Sequence, residues 1–439
     1  MRALRPALRL SLLGAAALAL SSCGPEPGDP GRQIGANPYL PAQHQYLLPP
    51  MHVSKIVGWR QGEAPTVAAG LQVKALAMGL RNPRSVYALP NGDVLVVESG
   101  GPPAPIKRPK EFVMDWVEKK AHSSTEPGND ILLFRDADGD GTPEVRSVLL
   151  DHLNSPFGVA LVDGDLYVAN TDAVVRYPYV AGQTRITAPG TVLTPLPGGP
   201  IDHHWTKSLT ASPDGTKLYA GVGSNSNITE NGMEAEKNRA AIWEIDRATG
   251  AHRLYATGLR NPNGLTFEPA TGVLWTVVNE RDELGPDLVP DYMTSVKDGA
   301  FYGWPYSYYG QHVDPRVRPQ RPDLVAKAIA PDYALSSHVA PLGLTFYTGA
   351  NLPPRYQGGA FVGEHGSWNR GKLNGYRVVF VPFANGRPAG KAQDVVTGFL
   401  TGDDEARGRP VGLAVDARGG LLIADDAGGA VWRVTAAGT

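Results

Sequence analysis

Pro262-Asn-Gly-Leu-Thr-Phe267 is one of six versions of a single phrase that recurs along the chain. The others are Pro83-Arg-Ser-Val-Tyr-Ala88, Pro156-Phe-Gly-Val-Ala-Leu161, Lys207-Ser-Leu-Thr-Ala211, Pro341-Leu-Gly-Leu-Thr-Phe346 and Pro410-Val-Gly-Leu-Ala-Val415. Most copies are soon followed by a turn rich in Asp, Asn or Gly and then an apolar run, as in Pro90-Asn-Gly-Asp-Val-Leu-Val-Val97 and Asp416-Ala-Arg-Gly-Gly-Leu-Leu-Ile-Ala424. Successive copies start roughly 50 to 80 residues apart, room for a four-stranded sheet with insertions and too long for a thin solenoid turn. The repeat therefore predicts an all-β fold, a six-bladed β-propeller spanning residues 71–439 as one domain with long loop insertions. A pair of β-sandwiches would leave the recurring unit unexplained.

The composition agrees. Gly 52 and Pro 39 in 439 residues, with only 19% charged residues, suit many short strands joined by tight turns. Further strands are expected at Asp165–Asn170, Lys217–Val222, Gly272–Val278, Gly359–Gly363 and Tyr376–Val381, with outer strands at Ala241–Asp246 and Ala430–Thr435. A net charge of −2 gives no general electrostatic reason to bind nucleic acid. Two insertions break the rhythm: Gly100–Asp130, with a helical or irregular stretch near Phe112, and Asn279–Asp332, crowded with Tyr, Pro and Asp. Long irregular loops of this kind more often serve function than idle.

The N-terminus reads as an export signal. Arg2, Arg5 and Arg9 precede an apolar run from Leu10 to Leu20, too short for a mature membrane span. Leu20-Ser-Ser-Cys23 follows, and Cys23 is the only cysteine in the chain. This segment resembles the bacterial lipoprotein signal, which implies a signal peptide over 1–22, lipidation at Cys23, and a tether and lead-in over 23–70. Gly24 after the cysteine favours an outer-membrane location, on the periplasmic side.

Three places depart from what blade geometry requires. Gly258-Leu-Arg-Asn261 precedes the fourth copy, and Arg260 offers a fixed fork of donors for an anionic or quinone oxygen. Asp202-His-His-Trp205 leads into the third copy, where the usual proline is absent. Adjacent histidines point opposite ways in a strand, so at most one of the two faces a given site; His204 stands where a general base is wanted. Asp136-Ala-Asp138-Gly-Asp140-Gly-Thr-Pro-Glu144 places oxygen donors at the first, third, fifth and ninth positions of a calcium loop but has Ser147 at the twelfth. It reads equally as a structural calcium site or a solvated Asp-Gly turn. Glu364-His365-Gly-Ser367 suggests a triad, but no Gly-x-Ser-x-Gly elbow accompanies it.

Taken together, His204 to Leu209, Gly258-Leu-Arg-Asn-Pro-Asn-Gly-Leu265 and Tyr302-Gly-Trp-Pro305 resemble the family of soluble quinoprotein sugar dehydrogenases. Gly221-Val-Gly-Ser-Asn-Ser-Asn227, Asp282-Glu-Leu-Gly285, Gly363-Glu-His-Gly-Ser-Trp-Asn-Arg370 and Gly408-Arg-Pro-Val-Gly412 resemble its L-sorbosone dehydrogenase branch. The resemblance implies oxidation of an aldose or sugar aldehyde by hydride transfer to pyrroloquinoline quinone, then to an external acceptor such as a cytochrome or a quinone. It makes His204 the base, with Arg260 and Asn261 beside the quinone oxygen. The cofactor's carboxylates call for local cations, with Arg409, Arg370, Lys207 and His365 as candidates. The family's calcium would fall near Asn279-Glu-Arg-Asp-Glu-Leu-Gly-Pro286, where an added charged run leaves Glu280, Asp282 and Glu283 as candidate ligands. Two alternatives stay open: a propeller that binds a ligand or partner without redox chemistry, and a calcium-dependent lactonase-like hydrolase.

Overall fold

The computed structural model describes residues 28–46, 51–103 and 128–438. Six antiparallel sheets follow one another around a central axis, and their innermost strands are the six repeated phrases: Pro83–Ala88, Gly158–Val162, Leu209–Ala211, Pro262–Phe267, Pro341–Phe346 and Pro410–Val415. Each innermost strand packs beside the next, and the sixth returns to the first. The protein is a six-bladed β-propeller.

The third position of the repeat explains its glycine. A Cβ at Gly343 would collide with Val411 O, and one at Gly412 would lie 2.7 Å from Ser85 Cα. At these positions the backbone of one innermost strand approaches the next too closely for a side chain. The second strands are apolar runs because blades cover them on both faces. Val94–Glu98, Leu274–Val278, Ala360–Glu364 and Leu421–Asp425 are buried throughout.

The second position of the repeat faces the axis. Phe157, Leu342 and Val411 come from the second, fifth and sixth blades and form one apolar cluster with Trp205 packed against it. This cluster plugs the middle of the ring. The chain segments that enter the innermost strands and leave the second strands collect at one end, and the short hairpins lie at the other.

Three expectations are corrected. Ala241–Asp246 and Ala430–Ala436 are third strands; the outermost strand of the third blade is His252–Thr257. The outermost strand of the sixth blade is Leu71–Met78, so the start of the propeller closes its last blade. The insertion from Asn279 to Asp332 contains a regular third strand, Pro290–Ser295. The stretch near Phe112 lies outside the described residues, as does Cys23.

The lead-in is docked, which shortens the expected tether. Ile34–Gly35 adds a fifth strand to the fourth blade and Thr66–Val67 a fifth strand to the fifth blade. Trp59 then packs edge-on against Trp432, with ring centroids 5.1 Å apart, and donates from Nε1 to Asp425 at 2.7 Å.

Candidate active site

Gly223 and Ser224 leave the second strand of the third blade, Lys217–Val222, and the predicted catalytic residues gather on them. A Cβ at Gly223 would lie 2.5 Å from His204 Cβ and 2.5 Å from Asn261 Oδ1. The Ser224 N–H donates to Arg260 O at 2.8 Å, and the His204 N–H donates to Ser224 O at 3.3 Å. His204, Arg260 and Asn261 therefore share one two-residue support at the strand-exit end.

His204 is partly buried, and its Nδ1 lies 2.8 Å from Ser224 O. A carbonyl only accepts, so Nδ1 carries the hydrogen and Nε2 is left with its lone pair. Burial, then the charge of Arg260, then His203, hold the imidazole well below the usual histidine range. His204 is thus neutral at physiological pH. His203 is exposed.

Arg260 is buried and held on all sides. Its Nε donates to Asn227 O at 3.2 Å, Nη1 to Glu280 O at 2.8 Å and Asn279 O at 3.3 Å, and Nη2 to Asn227 Oδ1 at 3.1 Å and Asp282 Oδ2 at 3.3 Å. Asn261 differs. Its Oδ1 is buried and has no hydrogen-bond partner among the described residues. A buried amide oxygen without a partner costs free energy, on the order of 1–3 kcal/mol. With Asn369 Oδ1 and Arg84 Nε, likewise buried and without a partner among the described residues, it is one of the atoms here that a ligand would satisfy.

Asp282 links Arg260 to a histidine. Its Oδ1 accepts from Asn369 Nδ2 and lies 3.4 Å from His338 Nδ1. Burial disfavours the Asp282 charge, but hydrogen bonding to His338 and the charge of Arg260 outweigh it and hold the carboxyl below its ordinary value. A second cluster occupies the same end. His365 Nε2 is 2.9 Å from Asp426 Oδ2, Arg84 Nη1 is 2.5 Å from the same oxygen, and Arg409 donates from Nε to His365 O at 3.0 Å and from Nη2 to Gly366 O at 2.7 Å. Arg84 also lies over the Trp205 ring at 5.7 Å, which joins this cluster to the His204 segment.

Other candidates stand elsewhere. Lys207 is fully buried behind the site; its Nζ donates to Trp205 O at 2.8 Å and Asp202 Oδ1 at 3.4 Å, and burial lowers its pKa to about 7. Arg370 is also fully buried, with Nε donating to Pro286 O at 2.8 Å and Nη2 paired with Asp287. Both hold loops from within the core, and Arg370 Nη1 is left without a partner among the described residues. Glu280, Asp282 and Glu283 do not form a metal cage. Glu280 turns onto Arg281 at 3.0 Å, Asp282 is engaged as above, and Glu283 sits in a left-handed turn with φ 71°. Among the described residues, one carboxylate group is close enough to ligate an ion: Asp136, Asp138, Asp140 and Glu144. It lies at the opposite end of the ring, with Arg418 Nη1 2.6 Å from Asp136 and loop N–H groups on all four side chains. The hydrolase alternative calls for acidic or Asn ligands converging at the site end, and no such acidic group stands there among the described residues. Ser367 accepts from Asn374 N at 2.9 Å while His365 faces Asp426, so no triad forms.

The sequence reading did not single out Arg239, Asn227, His338 or Asn369. Arg239 is buried, and from behind the His204 segment donates to Gly223 O at 2.9 Å, Asp202 Oδ1 at 2.7 Å, Pro197 O at 2.7 Å and His204 O at 3.2 Å. The insertion Asn279–Asp332 was expected over the face. It climbs beside the fourth blade and brings Trp304 Nε1 to Asn227 O at 3.0 Å and Arg316 Nη1 to Asp282 O at 2.9 Å. Its Tyr302, Trp304, Tyr308 and Tyr309 rings are buried, so they pack the rim and do not stack on a ligand.

The propeller thus gathers an imidazole, an amide and a guanidinium at one mouth. Residues 163–367 match the Glucose / Sorbosone dehydrogenase family model, the family its motifs resemble, and residues 321–437 match a TrAA12-like model. The chain is 28% identical over 261 residues to an uncharacterized protein of Borreliella burgdorferi, covering 57% of this chain and 68% of that one. It is 26% identical over 398 residues to an uncharacterized Synechocystis protein, covering 81% and 84%. Among solved structures, the fold is shared with the PQQ domain of Coprinopsis cinerea pyranose dehydrogenase in its holo form (TM-score 0.68, 21% identity, 88% of this chain and 100% of that one). It is shared too with PQQ-bound aldose sugar dehydrogenase from Streptomyces coelicolor (TM-score 0.54, 17% identity, 84% and 99%).

Proposed function

We propose that this chain is an oxidoreductase of the sugar dehydrogenase type, and more narrowly a quinoprotein that oxidises an aldose or a sorbosone-like sugar aldehyde and passes the electrons to an external acceptor. The family match over 163–367 supports the coarse reading. The observation that carries the finer one is the meeting of His204, Arg260 and Asn261 on Gly223–Ser224, with the Asn261 oxygen buried and unpartnered.

Pyrroloquinoline quinone, when bound, supplies the hydride acceptor. The residues present fit it. The long, exchangeable contacts of Arg260 to Asp282 and Asn279 offer donors to a quinone oxygen, the buried Asn261 Oδ1 can accept from an N–H or O–H of the bound cofactor or substrate, and Arg409 and Arg84 are cations at the same mouth. His204 then has one task. With Nδ1–H fixed on Ser224 O, its Nε2 takes the proton from the anomeric hydroxyl of a cyclic aldose, or from a hydroxyl of the hydrated aldehyde, as hydride leaves that carbon. The apolar cluster of Phe157, Leu342 and Val411, with Trp205 against it, lies beneath the site. Calcium does not fit at Glu280, Asp282 and Glu283, and no step is assigned to it.

The reading includes export and attachment of Cys23 to the outer membrane by a lipid, on the strength of Leu20-Ser-Ser-Cys23. Reconstituting the purified protein with the quinone and assaying a panel of aldoses and sugar aldehydes with an artificial acceptor tests the enzymatic part. Quinone-dependent turnover of at least one sugar is expected; no turnover across the panel would leave only a binding propeller.

A further inference from the structure

The lead-in is strapped across the end of the ring that carries the site. The Gly28 N–H donates to Asp287 Oδ2 at 2.5 Å, and Gln33 reaches the Asp287 carbonyl. The His44 N–H donates to Leu284 O at 2.8 Å, and the His52 N–H to Trp368 O at 2.9 Å. Ile56 then bridges to Ala406. Every one of these partners lies in a loop at the strand-exit end: 279–289, 365–376 or 398–409. Along this strap three large apolar side chains point into solvent, Tyr39 at 51%, Met51 at 41% and Val57 at 42% exposed.

Cys23 stands five residues before Gly28. Five residues span at most about 18 Å when fully extended. A lipid on Cys23 therefore cannot reach around a propeller to its far end, because its leash begins on Asp287. We propose that the strap holds the site end of the propeller against the bilayer surface, with Tyr39, Met51 and Val57 meeting the headgroup and acyl boundary and the hairpin end facing away. Aromatic and apolar side chains on a surface already held by a lipid are suited to that boundary. This inference rests on lipidation of Cys23. Its consequence is that substrate enters from the gap beside the membrane and that a membrane-embedded acceptor has direct access to the site.

Fluorophores placed one at a time on Lys372→Cys, at the site end, and Ala181→Cys, at the hairpin end, read the orientation. The full-length lipidated protein is reconstituted into phosphatidylethanolamine and phosphatidylglycerol vesicles containing doxyl lipid quencher, and the mass of the N-terminal peptide is measured in the same preparation. Stronger quenching at 372 than at 181 is expected, and a Gly/Ser insert of roughly 30 residues after Gly24 should erase the difference. Tyr39→Ser, Met51→Ser and Val57→Ser combined should weaken quenching at 372 while leaving activity toward a soluble acceptor unchanged. A lipidated peptide with equal or reversed quenching overturns the orientation alone. An unlipidated Cys23 overturns the anchor and, with it, this inference.

Discussion

His204 and Asn261 approach the same glycine from two sides, each 2.5 Å from where a Gly223 Cβ would stand. Neither can keep its place if that hydrogen becomes a methyl. Gly223→Ala is expected to lower kcat on the order of 10²-fold, the usual consequence of a displacement near 1 Å at a reacting centre. Its cost to stability should be about 1–3 kcal/mol, as for other overpacked sites. Steady-state kinetics beside a urea melt would check this; wild-type kcat in Gly223→Ala would show that the two side chains do not act together.

The protonation state of His204 gives a second expectation. Burial, Arg260 and His203 depress its pKa well below 6.5, so kcat/KM should not fall through an acid limb near 6.5 but only at distinctly lower pH. His204→Ala should lose between about 10² and 10⁴ in kcat. A pH profile whose acid limb sits at or above 6.5 would contradict the neutral base.

Behind that histidine, Asp202 is shared by Arg239 at 2.7 Å and Lys207 at 3.4 Å. The two cations should respond differently to removal. Lys207 titrates near 7 in the folded chain against 10.5 ordinarily, so between those values the unfolded chain holds more protons at this residue and stability rises with pH. In Lys207→Met that rise should flatten in thermal midpoints measured from pH 7 to 9.5. Arg239→Met removes four hydrogen bonds, two of them to the His204 segment at Asp202 and His204, and should cost roughly 3–5 kcal/mol, the range for breaking a buried pair. Arg239→Lys should recover part of the stability but less of kcat, because an ammonium cannot reproduce the fork. Equal kcat in Arg239→Lys and wild type would deny Arg239 its positioning role.

How much of this was legible depends on the range of each contact. The six innermost strands were readable because the phrase recurs, and in four of its six copies a glycine solves the same local problem, the close approach of Gly158, Gly264, Gly343 and Gly412 to the next innermost strand. His204, Arg260 and Asn261 were readable as departures from that phrase. Arg239 and His338 were not, and Asn227 and Asn369 were legible only as members of quoted motifs without a role, because the roles come from partners far away in sequence: Asn369 meets Asp282 across 87 positions and Asn227 meets Arg260 across 33. Lys207 and Arg370 carried the expected charge, but a residue next to a site can turn into the core behind it. The outermost strands were misplaced for a related reason: Leu71–Met78 completes a sheet whose other strands begin more than 300 residues later.

The acidic loop at the hairpin end yields a further expectation. Asp136 accepts from Gly139 N at 2.7 Å and Gly141 N at 2.9 Å and pairs with Arg418. Its carboxylate is already used by the protein. Asp136→Ala should cost about 1–3 kcal/mol in urea unfolding with kcat unchanged. A chelator that reproduced the effect of the substitution in wild-type protein would instead assign the loop to an ion.

The central claim is that a quinone cofactor sits against Arg260 and Asn261 while His204 acts only on substrate. Titrating the apoprotein with pyrroloquinoline quinone, followed by tryptophan fluorescence, tests this most directly across three variants. Saturable binding is predicted for wild type and His204→Ala, with dehydrogenation lost in the latter, and binding weakened at least tenfold, about 1.4 kcal/mol, in Arg260→Met and Asn261→Ala. Absence of binding to wild type, or binding indifferent to Arg260→Met and Asn261→Ala, would contradict it.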